Sequence, residues 1–259
     1  YSEMASASAL FFKPKKTLEL LRFGKHERPY IVQLFGKDPA HFAASAKIIT
    51  EKIKPDGIDI NFGCPAKKVF GHGSGCALMP QKKLAREIIS AVCENTDLPV
   101  SLKIRAGIKG IGAKEFIENT KDLPYSAVMV HGRTYEGSFS GDVDWKIISE
   151  IKKITPQKII LGNGGIYTPE DAKNILEAYP NIDGLGIARG AWGKPFLFRE
   201  IKEILKTGSY GLYDLKKIKK VMIKHAKFIW KDKGELGMFE IRKHLAWYIE
   251  GFPGALELR

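Results

Sequence analysis

The feature that most constrains the fold is a repeat of short β-rich runs that alternate with helical patterns. Apolar runs rich in β-branched residues predict strands at Tyr30–Phe35, Gly57–Phe62, Val100–Ile104, Ala127–His131, Lys158–Gly162 and Asp183–Ala188, with the stub of another at Ser2–Met4. Helical patterns lie between them near residues 39–53, 81–94, 113–121, 144–153, 168–178 and 195–206. Repeated βα units of this length imply a parallel sheet, closed as a barrel or open and doubly wound.

Two features favour the barrel over the open sheet. No G-x-G-x-x-G follows the first strands, and polar residues stand at the carboxyl end of nearly every strand: Gln33, Asn61, Cys64, Lys103, Arg105, His131, Arg133, Asn163 and Arg189. In a (β/α)8 barrel these ends converge on the face that carries the active site. The chain supplies seven strands, so we expect a TIM barrel whose first strand is missing.

The strand pattern stops near residue 207, and a basic helical segment follows. Apolar residues recur there at helical spacing, with lysines on the other faces: Leu215, Ile218, Met222, Ala226 and Ile229. Residues 199–259 hold fourteen Lys or Arg and eight Asp or Glu, a net charge of +6. We therefore predict a barrel domain over residues 1–207 and a basic helical domain over residues 208–259.

Composition bounds the compartment and the partners. The 42 Lys and Arg against 29 Asp and Glu give a formal net charge of +13, which attracts polyanions, although a merely lysine-rich surface has the same composition. No apolar run is long enough to span a membrane, and no basic-then-apolar leader is visible. Three widely spaced cysteines indicate free thiols in a reducing compartment, so we expect a cytoplasmic protein.

Glycine turns after the last two strands predict a phosphate site. "LGNGGI" (161–166) leads into "TPEDA", and "GIARGAWGKP" (186–195) repeats the arrangement one unit later. Backbone N–H groups at such turns form a phosphate cradle, and barrels often hold a phosphate at these strands. One interpretation is a phosphate-bearing cofactor with Arg189 as its cationic partner, and the other is a pair of ordinary βα turns.

Cationic side chains follow two of the central strands. In "SLKIRAG" (101–107), Lys103 and Arg105 share one strand face. Inward-pointing cations suit an anionic ring such as a reduced flavin, whereas a solvated pair at the edge is the alternative. In "VHGRT" (130–134), His131 ends a strand and precedes Arg133, and a hydrogen-bonded core histidine remains open there.

Cys64 stands in "GIDINFGCPAKKVFGHGSGCALM" (57–79), on a loop that is both basic and glycine-rich. The twelve-residue spacing to Cys76 lacks the paired C-x-x-C that zinc sites use, so we expect no metal. A nucleophilic thiolate needs an adjacent base, and His72 is the nearest candidate in sequence. A proton donor needs only a thiol that stays protonated, which an ordinary thiol pKa permits.

These motifs together resemble those of the tRNA-dihydrouridine synthases. The residues that carry the resemblance are DINFGCPAKKV, GSGCAL, LKIRAG, VHGRT, GNGGI and GIARGAWGKP, in the same order as in the family. The tail "EIRKHLAWYIEGFPGALELR" (240–259) is similar to the C-terminal helical domain of the bacterial B-type branch. The resemblance covers essentially the whole chain.

The resemblance implies an FMN-dependent enzyme that reduces a uridine of tRNA to 5,6-dihydrouridine, with NADPH as reductant. Cys64 would be the general acid and Asn61 would hydrogen-bond the uracil. The cofactor contacts implied are Gln33, Lys103 and His131 at the flavin ring, and Asn163, Gly164, Gly165, Ala188 and Arg189 at its phosphate side. Further substrate contacts would come from Lys67, Lys68, Arg105 and Arg133.

Three departures from the family pattern qualify the resemblance. The first strand of the family is absent before Tyr1, Ala188 replaces a usual glycine, and Cys76 replaces a usual Ser or Ala. Two other functions remain: a flavin barrel that acts on a free pyrimidine, and an RNA-binding module without catalysis. The basic tail favours tRNA over a free pyrimidine, and we expect a monomer.

Overall fold

The computed structural model describes residues 1–250, 252, 254, 255 and 257. Its strands are β1 (Ala5–Ser6), β2 (Ile31–Phe35), β3 (Gly57–Phe62), β4 (Val100–Ile108), β5 (Ile111–Gly112), β6 (Ala127–Thr134), β7 (Ile159–Asn163) and β8 (Gly184–Gly186). The α-helices are α1 (Ala7–Phe12), α2 (Pro14–Leu20), α3 (Pro39–Ile48), α4 (Lys67–Gly71), α5 (Lys82–Cys93), α6 (Ala113–Thr120), α7 (Trp145–Ile154), α8 (Pro169–Ala178), α9 (Leu197–Thr207) and α10 (Leu215–Tyr248). A π-helical turn, Ile49–Ile53, continues α3, and short 3-10 turns lie at Lys25–Glu27, Gly75–Leu78 and Arg189–Ala191.

The described strands form one sheet that alternates with helices along the chain. Strands β1, β2, β3, β4, β6, β7 and β8 pair in that order, all in parallel, whereas β5 pairs antiparallel with β4. The register sets polar residues of neighbouring strands side by side: Gln33 with Asp59, Asn61 with Lys103, and His131 with Arg105 and Asn163. The carboxyl ends of parallel strands lie at one edge, so these side chains are neighbours there.

Burial explains why the central strands form where they do. Every residue of β3 is buried, and Leu102 and Ile104 of β4 are fully buried, as expected for parallel strands covered on both faces. Three of the helices that link the strands begin at side-chain caps: Asp38 caps α3, Asp144 caps α7, and the Thr168 hydroxyl accepts a hydrogen bond from the Asp171 N–H at the start of α8.

The structure confirms the six predicted strands that correspond to β2, β3, β4, β6, β7 and β8, and it corrects the stub. The predicted stub at Ser2–Met4 is wrong, because the ladder with β2 begins at Ala5, which pairs with Leu34. Ser2 still donates its N–H to the Ile31 carbonyl (2.8 Å), so this segment runs beside β2 without belonging to a strand. Two consecutive ladder pairs are too few to leave a period in the sequence.

The chain divides into two compact units. One comprises residues 1–164 and 179–186, and the other comprises residues 165–178 together with 187 onward. In the second unit α10 begins at the Asp214 cap and is interrupted at Gly234, whose φ of 57° is not helical. In the part of the chain that the structure describes, no helix is long and apolar enough to cross a membrane.

Candidate functional site

Cys64 lies just after the carboxyl end of β3, and its backbone is held on both sides. Its N–H donates to Asn61 Oδ1 (2.8 Å), and its carbonyl accepts from the Cys76 N–H (3.2 Å). The backbone approaches Cys64 again at Gly75, which has a φ of 63°. A Cβ at this position would lie 2.9 Å from the Cys64 carbonyl oxygen, so the close approach requires glycine. The Cys64 side chain is half-buried. The loop therefore fixes the position of a partly accessible thiol.

The second thiol of this loop has a different environment. Cys76 is fully buried, with its Sγ 4.0 Å from Met79 Sδ. Burial raises the pKa of the Cys76 thiol to about 12. Because a proton donor has to reach its substrate, this geometry favours Cys64 over Cys76.

A chain of amide and carboxylate groups supports Asn61. The Asn61 Oδ1 accepts from the N–H groups of Gly63 (3.0 Å) and Cys64, and its Nδ2 donates to Gln33 Oε1 (2.8 Å). Gln33 Nε2 donates in turn to Asp59 Oδ2 (2.7 Å). The structure thus joins two predicted site residues, Gln33 and Asn61, by a direct hydrogen bond.

Asp59 is a site residue that the sequence analysis missed. It is fully buried, its Oδ1 accepts from the Ser101 hydroxyl (2.6 Å), and burial raises its pKa to about 6 despite the hydrogen bonds from Ser101 and Gln33. The signal was available in the sequence: an acidic residue in the otherwise buried strand GIDINF needs internal partners.

The two cations of β4 differ in what they contact. Burial lowers the pKa of Lys103 to about 8, while the nearby Asp59 carboxylate partly opposes this shift. Arg105 is 1% exposed, and it donates to the carbonyls of Gly63 (Nε, 2.9 Å), Thr134 and Ser138 (both Nη1, 2.9 Å). The alternative of a solvated pair is therefore wrong for Arg105, which donates these hydrogen bonds to the protein's own backbone.

His131 and Arg133 lie together at the end of β6. Arg133 Nη1 is 3.4 Å from His131 Nε2, and Arg133 Nε donates to the Gly141 carbonyl. Gly164, with a φ of 122°, lies against both, since a Cβ there would be 3.1 Å from His131 Cδ2 and 3.3 Å from Arg133 Nη1. The missing Cβ leaves the backbone after β7 open to close approach. Next to it, Asn163 Nδ2 donates to the Gly186 carbonyl (2.7 Å).

The parts of the two predicted glycine turns that belong to the second unit, residues 165–166 and 188–190, are adjacent. Gly165 has a φ of 71°, and Arg189 opens the 3-10 turn that follows Ala188. A Cβ at Gly190 would lie 2.0 Å from the Ile166 carbonyl oxygen, so the turns pack directly against each other. Successive N–H groups in such turns are suited to bind an anion.

The lysines of the Cys64 loop face solvent. Lys67 and Lys68 open the short helix α4 and are exposed, as is His72 beyond its end. Lys67 and Lys68 are therefore accessible to a large anionic ligand. Among the described residues, no cluster of three or more His, Cys, Asp or Glu side chains could hold a metal ion.

Comparison with known proteins agrees with this arrangement. The family model for dihydrouridine synthase (Dus) matches residues 1–259. A probable tRNA-dihydrouridine synthase of Mycobacterium leprae is 35% identical over 99% of this chain and 68% of its own length, and tRNA-dihydrouridine synthase B of Pseudomonas aeruginosa is 35% identical over 100% of this chain and 78% of its own.

The fold is also that of a solved structure. DHODH of Eimeria tenella, in complex with ferulenol, superposes with a TM-score of 0.54 at 15% identity, over 80% of this chain and 66% of that chain. This likeness concerns the fold alone, and with the parallel sheet it confirms the predicted TIM-barrel class. Since the family model matches the whole chain and both relatives exceed 30% identity, the chain belongs to the dihydrouridine synthase family.

Proposed function

We propose that this protein reduces a specific uridine of tRNA to 5,6-dihydrouridine, with FMN as its cofactor, NADPH as reductant and Cys64 as the proton donor. Family membership and the names of the relatives support the reaction. The observation that carries the mechanism is a half-buried thiol at the carboxyl end of β3, with its backbone N–H capped by Asn61. Active sites of barrels occupy this edge of the sheet.

The proposed reaction adds two electrons and two hydrogens across the C5–C6 bond of uracil. When bound, FMN supplies the hydride that C6 receives, and NADPH restores the reduced cofactor. The S–H bond of Cys64 breaks as the new C5–H bond forms, and water then returns a proton to the thiolate. Asn61 would hold the uracil, and a general acid in this position contributes typically 10²–10⁴-fold in rate.

The residues at the strand ends fit a flavin. Gln33, Lys103 and His131 offer donors to the ring, and the Lys103 ammonium, whose pKa is lowered by burial, would be stabilised by an anionic ring edge. By resemblance to the family, the residues assigned to the phosphate side are Asn163, Gly164, Gly165, Ala188 and Arg189. The positive φ angles of both glycines support backbone contact with a phosphate.

Basic surface residues support a nucleic acid as the substrate. Lys67, Lys68 and Arg133 would contact tRNA near Cys64, and the segment 208–259 would serve as a tRNA-binding domain. Swinging a base out of its stack costs a few kcal/mol. Phosphate contacts with counterion release offset that cost.

The decisive experiment is mass spectrometry of nucleosides from unmodified tRNA incubated with the protein, FMN and NADPH, with the product mapped to its position. We expect dihydrouridine at a defined uridine. Cys64→Ala should lower its formation by ~10²-fold or more, while NADPH still reduces the bound flavin.

Cys93→Ala is the matched control, because Cys93 is a half-buried thiol in α5, outside the proposed site. It should leave the rate unchanged. If the protein reduced free uridine but not uridine in tRNA, it would instead be a small-molecule reductase. Full activity of Cys64→Ala would assign the donated proton to Cys76 or to water.

A further inference from the structure

One continuous hydrogen-bond chain runs from a buried carboxylate to the backbone of Cys64. Asp59 Oδ2 accepts from Gln33 Nε2 (2.7 Å), Gln33 Oε1 accepts from Asn61 Nδ2 (2.8 Å), and Asn61 Oδ1 accepts from the Cys64 N–H (2.8 Å). These hydrogen bonds lead from Asp59 in β3 to Gln33 in β2 and back to Asn61 in β3. Every link is within ordinary hydrogen-bond distance.

The direction of each link follows from the two ends. The N–H groups of Gly63 and Cys64 can only donate, so Asn61 has to present its oxygen to them and its amino group to Gln33. Gln33 must then present its oxygen to Asn61 and its amino group to residue 59. Only an acceptor at residue 59 satisfies that orientation, and an ionised Asp59 accepts on both oxygens.

We infer that Asp59 is a positioning residue for the proton donor: through Gln33 and Asn61 it fixes the orientation in which the Cys64 loop is held. This inference rests on the proposed function and goes beyond it, since Asp59 touches neither Cys64 nor the proposed site of the uracil. Its effect is to lower the number of amide orientations available to Gln33 and Asn61. Orienting reacting groups in this way raises the rate of a chemical step.

The same chain limits what Asn61 can offer to a substrate. Both acceptor positions of Asn61 Oδ1 are used by Gly63 and Cys64, and one Nδ2 hydrogen is used by Gln33. The other Nδ2 hydrogen points to Met4 Sδ at 3.6 Å, and a thioether is a weak acceptor. A uracil carbonyl can replace this sulfur contact without breaking the chain, so Asn61 can bind substrate and position Cys64 at once.

A buried carboxylate with this role is not kept for stability. Burial of Asp59 carries a cost of desolvation, which its hydrogen bonds from Ser101 and Gln33 and the nearby Lys103 only partly offset. Replacing buried charges by apolar groups of similar shape is often neutral for stability. A loss of function without a loss of folding therefore distinguishes positioning from scaffolding.

The test compares Asp59→Leu with Asp59→Asn. Leucine keeps the branching of aspartate but accepts no hydrogen bond, whereas the asparagine oxygen can accept from Gln33 while its amino group donates to the Ser101 hydroxyl. We expect Asp59→Leu to lower the single-turnover rate of dihydrouridine formation at saturating tRNA by at least ~10-fold. Reduction of the bound flavin by NADPH should stay within about twofold of the wild type, and Asp59→Asn should restore most of the rate.

A second readout needs neither cofactor nor substrate. Hydrogen–deuterium exchange of the peptide that contains Gly63 and Cys64 should be about tenfold faster in Asp59→Leu than in the wild type or in Asp59→Asn. If Asp59→Leu does not fold, Gln33→Met breaks the same chain at its middle and carries the same prediction for exchange.

Unchanged exchange in the folded variant would overturn the inference, as would equal losses of both half-reactions or a failure of Asp59→Asn to restore the rate. Failure of the proposed function is a separate result, because then the wild-type protein itself would form no dihydrouridine. In that case, hydrogen–deuterium exchange at Gly63 and Cys64 would still show whether the hydrogen bonds from Asp59 to Cys64 are intact.

Discussion

The environments of single residues decide which groups in this site can exchange protons with a ligand. Cys76 is fully buried and its pKa is raised to about 12, whereas Cys64, twelve residues earlier, is half-buried at the edge where the strands end. Lys103 and Asp59 are two further groups whose pKa values burial shifts, in opposite directions as expected for a cation and an acid. Titratable groups perturbed in this way cluster at functional sites more often than elsewhere.

The raised pKa of Asp59 predicts a specific dependence of stability on pH. Its ordinary pKa is 3.8 and its pKa in the folded protein is about 6, so the folded state holds this proton more tightly. The stabilisation from the protonated form is fully present below pH 3.8 and is lost as the pH rises through about 6. An asparagine side chain cannot ionise, so Asp59→Asn lacks this loss. As the pH rises from about 4 to above 6, we expect the free energy of unfolding of Asp59→Asn to increase by on the order of 2–3 kcal/mol relative to that of the wild type.

Urea unfolding of both proteins at intervals between pH 4 and 7 measures this difference. Asp122→Asn is a control with the opposite sign, because the hydrogen bonds from Arg86 lower the pKa of Asp122 to about 2. The stabilisation from ionised Asp122 is fully present above its ordinary pKa and is lost only as the pH falls through about 2, so the difference between Asp122→Asn and the wild type should stay constant from pH 4 to 7. A difference between Asp59→Asn and the wild type that does not vary with pH would contradict the assignment of a raised pKa to Asp59.

At the scale of elements, Arg105 of β4 joins two loops that surround the site. Its guanidinium contacts the carbonyl of Gly63, directly before Cys64, and the carbonyls of Thr134 and Ser138 at and after the end of β6. A planar guanidinium can serve several acceptors in a fixed geometry, which a lysine ammonium cannot reproduce. The charge of Arg105 is therefore used inside the protein to order the two loops.

Arg105→Lys should destabilise the protein although it conserves the charge. The shorter and differently shaped ammonium leaves one or two of the three carbonyls without a partner, and each buried unsatisfied group costs about 1–3 kcal/mol. We expect a loss of about 2–4 kcal/mol in the free energy of unfolding in urea, with faster proteolysis in the segment 134–141. Arg22→Lys, which changes an exposed guanidinium, should have little effect. Equal unfolding midpoints for both variants would exclude the proposed role of Arg105.

Elements with a strong apolar pattern were predictable from the sequence, whereas those set by tertiary contacts were not. The predicted and observed bounds of β3 coincide, because GIDINF is an apolar run closed by glycines. The sequence did not predict α1, α2 or α4; α4 is a five-residue helix within the glycine-rich loop. Strands β4 and β6 also extend further than predicted, since β4 continues into its pairing with β5 and β6 pairs with β4 as far as Thr134.

The candidate site shows the same limit. Strand-end residues such as Asn61 and Lys103 follow from the alternation of strands and helices, but the partners of their side chains do not. The bond from Gln33 to Asp59 depends on the register between β2 and β3, which no local pattern encodes. The roles assigned to these residues remain predictions.

At the scale of the whole molecule, exposed lysines and exposed aromatic side chains occur together along α10. The first turns of α10 carry Lys216, Lys217, Lys219 and Lys220, all of them exposed. Further along the same helix, exposed aromatic side chains alternate with more cations: Phe228, Trp230 and Phe239. Basic residues interleaved with aromatic side chains are typical of surfaces that bind nucleic acids.

Replacing these four lysines together by glutamine should therefore weaken tRNA binding and flatten its dependence on salt. Each phosphate that the variant no longer neutralises reduces the slope of log affinity against log salt concentration by roughly 0.7–0.9, so a reduction of about two or more is expected if most of the four contact phosphate.

The control neutralises Lys15, Lys16, Lys47 and Lys52, which are also exposed and change the net charge equally. Lys15 and Lys52 line one cavity by the turn that ends α3, and helices of βα units end opposite the carboxyl edge of the strands, away from Cys64. Equal slopes for the two quadruple variants would mean that net charge, and not the surface of α10, determines the affinity for tRNA.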